Sequence, residues 1–235
     1  MRLFPRIAFA LGLAVCPATL AGQVGYPPTK SPYHEVLPSR SWIFNFGYFG
    51  GSGGDFGVGP HDGLTYGVDW NIRVSTPLQL GVTFTYGALE RMIVHPADSL
   101  QYRYTGPVGT DTYMLGASGI FNITGKKTWH GFAPYAFITL GVVNASSTPD
   151  DNSGYEFGTK LYGSPGLGFR YYLRDRLYFR GQTQYTIWGL TYPPSYILIP
   201  IQDPTAPPVI NNGDLSTYTG SLQVQVSVAY SFSFF

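Results

Sequence analysis

The chain has 235 residues, of which 11% are charged and 17% aromatic, with 30 glycines and a formal net charge of +1. An ordinary soluble domain carries roughly 25% charged residues, so the charge that a water-facing surface needs is missing. An apolar content of 44% excludes disorder, the near-neutral charge excludes a nucleic-acid binder, and the lack of a long unbroken apolar run excludes a helical membrane bundle.

Arg2 and Arg6 precede an apolar stretch from Ile7 to Val15, and the small residues Ala18 and Ala21 follow. This is the three-part layout of a secretory signal peptide, with cleavage expected after Ala21. The single cysteine, Cys16, lies inside residues 1–21, so the mature chain is expected to hold no thiol, disulfide or Cys-based metal site. Leu13-Ala14-Val15-Cys16 approaches a lipoprotein cleavage box, but Val15 stands where that pattern wants a small residue. Residues 22–40, with Pro27, Pro28, Pro32 and Pro38, show no periodicity and read as an extended periplasmic leader.

From 41 to 235 one rhythm of period two dominates, and it predicts eight strands. Their apolar faces begin with Trp42, Phe44, Phe46 and Tyr48, continue with Tyr66, Val68, Trp70 and Ile72, and then with Leu80, Val82, Phe84 and Tyr86. A weaker fourth strand presents Tyr113, Leu115 and Phe121, a fifth Ala136, Ile138, Leu140 and Val142, a sixth Leu161, Leu167, Phe169 and Tyr171, and a seventh Leu177, Phe179, Tyr185 and Ile187. The eighth alternates without a break, from Leu222 through Val224, Val226, Val228, Tyr230 and Phe232 to Phe234. The opposite faces hold mainly Gly, Ser, Thr, Asn and Gln, with long aromatic or Arg side chains among them. That mixture suits a crowded interior, where small residues make room for large ones, better than a face turned to water. The apolar face is therefore expected to meet lipid.

Connections alternate between short turns (75–77, 124–131, 174–176) and long loops (50–63, 88–109, 144–159, 189–216). Both regularities predict an all-β fold, an eight-stranded antiparallel up-and-down transmembrane β-barrel over 41–235. Closure would leave no unpaired backbone edge in hydrocarbon.

The run Gly166-Leu167-Gly168-Phe169-Arg170-Tyr171-Tyr172-Leu173-Arg174-Asp175-Arg176-Leu177, with the aromatic-rich final strand, resembles the OmpA-like eight-stranded outer membrane barrels of Gram-negative bacteria. The resemblance covers roughly Trp42 to Phe235. It implies a monomer in the outer membrane, surrounded by lipid and lipopolysaccharide, and delivered by the barrel-assembly machinery through a terminal strand ending in Phe234 and Phe235. The alternating set ends at Phe234, one position short of that family's usual terminus.

Asp69, Arg73, Arg170 and Arg180 fall on the polar face, so they are interior ion-pair candidates, with the arginines in the half nearer the short turns and Asp69 as their acidic partner. A buried charge must be paired, which favours a structural plug over a gated ion path. Gly50-Gly51-Ser52-Gly53-Gly54-Asp55 starts like a calcium-binding nonapeptide, but one copy builds no stacked site. Asp55, His61 and Asp62 are left as a weak cation cluster at most. Catalysis on envelope lipids would need a hydroxyl, a histidine and a carboxylate together, and His34, His61, His95 and His130 all fall in the leader, the loops or a turn. No cofactor or metal is expected. The last loop carries an apolar run, Tyr196, Ile197, Leu198, Ile199 and Ile201, where water should be, and exposed apolar patches mark contact sites. The expected function is surface interaction or envelope integrity through the long loops. The alternatives are a narrow channel for small or hydrophobic solutes, or an enzyme acting on envelope lipids.

Overall fold

The period-two segments form strands in the computed structural model, which describes residues 31–36, 39–147, 151 and 153–233. The expected signal peptide, residues 22–30, 37 and 38 of the leader, and Phe234 and Phe235 lie outside the described residues. The unit treated below is Pro32–Phe235. Its strands are β1 (Tyr33–Glu35), β2 (Arg40–Gly51), β3 (His61–Arg73), β4 (Leu78–Val94), β5 (Tyr104–Asn122), β6 (Lys127–Trp129), β7 (Phe132–Ala145), β8 (Thr159–Tyr172), β9 (Leu177–Thr191) and β10 (Ser216–Phe232). Eight of them, β2 to β5 and β7 to β10, pair antiparallel with their neighbours, and β10 returns to pair with β2. The sheet is a closed eight-stranded antiparallel barrel.

The register fixes its width. A path along direct partners runs from Ser41 through Asn71, Gly81, Ser118 and Thr139 to Ser164. It crosses to Thr186 by a 2.7 Å hydroxyl hydrogen bond, continues to Ser221, and returns to β2 at Gly51. The path closes ten residues from its start, so the strands are steeply tilted. Eight tilted strands enclose an interior just wide enough for side chains to fill.

Small residues take the positions over which large ones lie. A Cβ on Gly166 would sit 2.4 Å from the Phe137 ring, and one on Gly168 would sit 2.4 Å from the Tyr135 ring. The outer wall is apolar, with Phe44 and Leu140 each 61% exposed. Its aromatics form two bands. One runs Phe46, Tyr66, Tyr86 and Tyr113 toward the long loops, with neighbouring ring centroids 5.4 to 6.5 Å apart. The other includes Trp42 against Trp70 and Phe132 against Phe169 toward the short turns. Amphipathic rings gather at such levels where a barrel passes from hydrocarbon to headgroups.

Two departures from the sequence reading concern the ends. β1 pairs with β6, so residues 33–35 of the expected leader and 127–129 of an expected plain turn form a small antiparallel pair. Three residues are too few to show a period. The expected loop 88–109 is mostly strand. β4 and β5 reach 17 and 19 residues, beyond the roughly 9–11 that a tilted strand needs to cross a membrane.

Candidate functional site

The interior has three levels. At mid-barrel, Arg180 Nη2 donates to Asp69 Oδ2 and to Asn45 Oδ1, each at 2.6 Å. Asn45 Nδ2 and Thr83 Oγ1 donate to Asp69 Oδ1 at 2.8 and 2.5 Å, and Ser227 Oγ donates to Asn45 Oδ1 at 2.7 Å. Above this knot, Gln182 donates to Gln225 and Gln184 to Gln223, each at 2.5 Å, and Tyr135 Oη donates to Gln182 Oε1 at 2.8 Å. The space left among these groups is about 20 Å³, room for about one water molecule. A side chain fixed by several hydrogen bonds in so small a space cannot swing aside cheaply, so the level acts as a plug.

Of the three candidate arginines, only Arg180 meets Asp69. Arg170 is the direct strand partner of Arg180 across β8 and β9, and like charges in that position repel. Their heads part. Arg170 turns toward the short-turn end, where it donates to Asn122 Oδ1 at 2.7 Å and Gln79 Oε1 at 2.9 Å, and its guanidinium lies 4.6 Å from the centroid of the Tyr135 ring. Arg73 donates to the Val36 carbonyl at 2.9 Å. The expected cluster of three arginines around one carboxylate is thus corrected to one ion pair and two cations held by neutral groups. Asn45, Thr83, Gln79, Asn122 and Ser227 complete these networks. Their inward parity was readable, but their meeting depends on strand stagger.

The third level closes the barrel toward the long loops with aromatic side chains. Phe49 stacks on Trp188 with centroids 5.3 Å apart and planes 4° apart, and Phe157 meets Trp188 edge-on at 5.7 Å. Tyr192 stacks on Tyr196 at 5.8 Å, and Phe56 stands edge-on to Tyr192 at 5.3 Å. Val58, Leu89, Val94, Val143, Leu190 and Ile210 fill in around them. At the edge of this cap an ion pair joins Arg91 to Asp151, with both side chains buried. Burial works against the Asp151 carboxylate, but hydrogen bonds from Ser153 and Arg91 outweigh it and hold its pKa below the usual carboxylate range.

The last loop divides its apolar run between two directions. Its short 3₁₀ helix, Pro194–Ile197, places Tyr196 fully inside the cap, so Tyr196, expected on a binding surface, is instead the loop's anchor. Ile197, Leu198, Ile199 and Ile201 point outward, the last 86% exposed. The loop is tied at several points. Ile210 N donates to the Tyr196 carbonyl at 2.9 Å, Gln202 N to the Ala97 carbonyl at 3.1 Å, and Arg103 Nη2 to the Pro207 carbonyl at 2.9 Å. The ridge is therefore presented on a held frame.

The remaining candidates stay apart. Asp62 Oδ1 accepts from Gly51 N and Tyr48 Oη, each at 3.3 Å, and His61 Nδ1 contacts the Gly59 carbonyl at 2.9 Å. Among the described residues no three His, Asp or Glu side chains gather at a spacing that would hold a metal. His61, expected in a loop, opens β3 opposite Glu90.

No protein-family model matches the chain, and no curated protein matches it in sequence. Solved structures do. Neisserial surface protein A superposes with a TM-score of 0.52 at 14% identity, covering 86% of this chain and 98% of that one. The outer membrane protein OprG from Pseudomonas aeruginosa gives 0.52 at 10% identity, covering 86% and 98%. The fold is that of a small outer membrane β-barrel. At such identities the likeness reaches the fold and stops there, so the chemistry of the lumen and loops must be argued from this chain.

Proposed function

We propose that the protein is a monomeric barrel of the bacterial outer membrane that works by contact at its long-loop end and passes no solute through its lumen. The observation that carries this reading is the sealing of the lumen, by the Asp69–Arg180 knot with about 20 Å³ left beside it and by the aromatic cap above. A narrow channel would need both levels to open together. An enzyme acting on envelope lipids would need a hydroxyl, histidine and carboxylate in reach of one another, and His61, at the start of β3, makes its contact with a backbone carbonyl instead.

The contact surface on this reading is the ridge of Ile197, Leu198, Ile199 and Ile201, anchored from below by Tyr196. It suits a partner with an apolar surface, such as the lipopolysaccharide zone around the barrel or a protein at the cell surface. The resemblance to OmpA-like barrels supports the same placement. Residues 1–21 would direct export, and the terminal strand ending in Phe234 and Phe235 would be read by the assembly machinery.

Planar-bilayer recording of the refolded barrel, with folding checked by gel mobility before and after heating, tests the reading. We expect no unitary conductance. A steady conductance from folded protein would overturn it and bring the channel forward. Converting Ile197, Leu198, Ile199 and Ile201 to Ser should leave folding intact and abolish binding to lipopolysaccharide vesicles or to cells, and retained binding would rule the ridge out.

A further inference from the structure

Among the described residues, the short-turn floor of the barrel holds positive charge that its surroundings do not balance. Among the described residues, Asp69 is the one carboxylate on the inward face of the barrel strands, and Arg180, Asn45 and Thr83 occupy it. Arg170 is 3% exposed, yet its hydrogen-bond partners Asn122 and Gln79 and the Tyr135 ring that its guanidinium faces are neutral. The Tyr172 hydroxyl and the Tyr178 ring, also neutral, lie close by. Arg73 donates to a carbonyl and lies within the fields of two opposed charges, the exposed Glu35 of β1 and Arg170. A buried cation without a counter-charge is costly.

The same floor carries unused donors. Asn71 Nδ2, Arg73 Nε and Arg170 Nε are buried and have no hydrogen-bond acceptor among the described residues. All three residues line one cavity of about 10 Å³, together with Ser41, Gln79 and Ser231. Buried N–H groups nearly always find partners, and here three of them, two on guanidinium groups, belong to residues that line a single small space.

The geometry points to a built-in site for one monatomic anion of the chloride class, held by Asn71, Arg73 and Arg170. Charge selects an anion, because all three groups offered are donors and two of them sit on cations. Size selects a monatomic one, since a cavity near 10 Å³ admits about one water-sized sphere and excludes phosphate or a carboxylate with its carbon. The site is a dead end, since the Asp69–Arg180 plug lies above it. Its role is to neutralise the floor so that Arg73 and Arg170 can sit near each other in the folded barrel.

The test compares the refolded protein in sodium chloride and in sodium gluconate at equal ionic strength, gluconate being too large to enter. Chloride at ten times its dissociation constant should raise the folded-to-unfolded ratio about elevenfold, seen as a higher thermal midpoint. The protein should also add excess ³⁵Cl linewidth in the NMR spectrum. Asn71→Asp places a fixed carboxylate in the site and should remove both effects while keeping the barrel folded in gluconate. Arg73→Gln, at the half-open edge, should weaken both effects if Asn71→Asp does not refold. Equal wild-type midpoints in the two salts, absence of ³⁵Cl broadening, or an undiminished chloride dependence in the folded variants would each overturn the proposal.

Discussion

The lower and upper halves of the same lumen are closed by opposite means. Below, Asp69, Arg180, Asn45 and Ser227 are locked by directed hydrogen bonds of 2.6 to 2.8 Å. Above, Phe49, Trp188, Phe157 and Tyr192 are packed ring on ring, and the buried Trp188 Nε1 and Tyr155 Oη have no hydrogen-bond partner among the described residues. The difference follows from the solvent. A wall whose apolar face meets lipid gains no hydrophobic core from folding within the membrane, so its interior is organised by polar geometry. Only beyond the membrane, where strands and loops stand in water, does burial of aromatics become a driving force. The plug below sets position, and the cap above supplies a core.

The comparison breaks most sharply at the plug. Asp69→Ala leaves the Arg180 guanidinium buried without its partner, which should destabilise the barrel by about 3–5 kcal/mol. The loss would appear as a lower urea midpoint in detergent. Replacing both partners with apolar residues, Asp69→Leu with Arg180→Met, should recover most of it, because the unpaired charge and not the lost bond carries the cost. If the single and double variants are equally unstable, the network around the pair matters more than the pair.

Trp188→Ala attacks the other half. Removing a fully buried Trp stacked on Phe49 should cost about 3 kcal/mol or more. The loss falls on the cap, so proteolysis of the loop end should rise well before the membrane-embedded strands unfold. Bilayer conductance should stay silent, since the plug remains. Loss of gel-shift folding and loop protection at the same denaturant concentration would show that cap and barrel are one cooperative unit.

The two halves were also unequally legible in the sequence. Within the membrane the apolar residues point outward, so Phe44, Phe46, Val224 and Val226 alternate cleanly with polar neighbours and the eight strands can be read directly. Past the rim the preference reverses. Phe49, Val143, Trp188 and Leu190 are inward-facing positions at the upper ends of β2, β7 and β9, and all are buried in the cap. There both parities hold apolar residues for a few positions, so the period dissolves and 88–109 reads as a loop although β4 and β5 continue through most of it. The interior partners were hidden for a different reason. Parity tells that Asp69, Arg73, Arg170 and Arg180 face inward, but the ten-residue stagger decides that Arg180 reaches Asp69 while Arg170 reaches Asn122 and Gln79. The direction of Tyr196 was likewise unreadable, because a short helix within an apolar run turns one side chain inward and leaves its neighbours out.

A smaller effect should separate the cap by pH. The Asp151 carboxylate is held below its ordinary pKa, so the stability it gives with Arg91 is fully present above that ordinary value, about 3.9, and is lost as pH falls through the depressed one. Protection of the loop end from an acid-active protease should therefore be flat above about pH 5 and fall only well into the acid range. Asp151→Asn should show reduced protection, by on the order of 1 kcal/mol, already at neutral pH. It should also remove this part of the acid response.

The smallest expected effect belongs to the ridge. Ile201→Ser changes a side chain that is 86% exposed, and Leu198 and Ile199 are also well exposed, at 63% and 62%. Exposed positions away from caps and cores alter stability by roughly 0.5 kcal/mol or less, so the three serine variants should match the wild type in urea midpoint. Tyr196→Ser, one residue before the ridge, should not: its ring is fully buried against Tyr192, and its loss should free the whole loop. Equal behaviour of Tyr196→Ser and Ile201→Ser would mean that the loop is not held by its tyrosine. A clear difference would make Tyr196 the hinge between the core that stabilises the barrel and the surface that meets its surroundings.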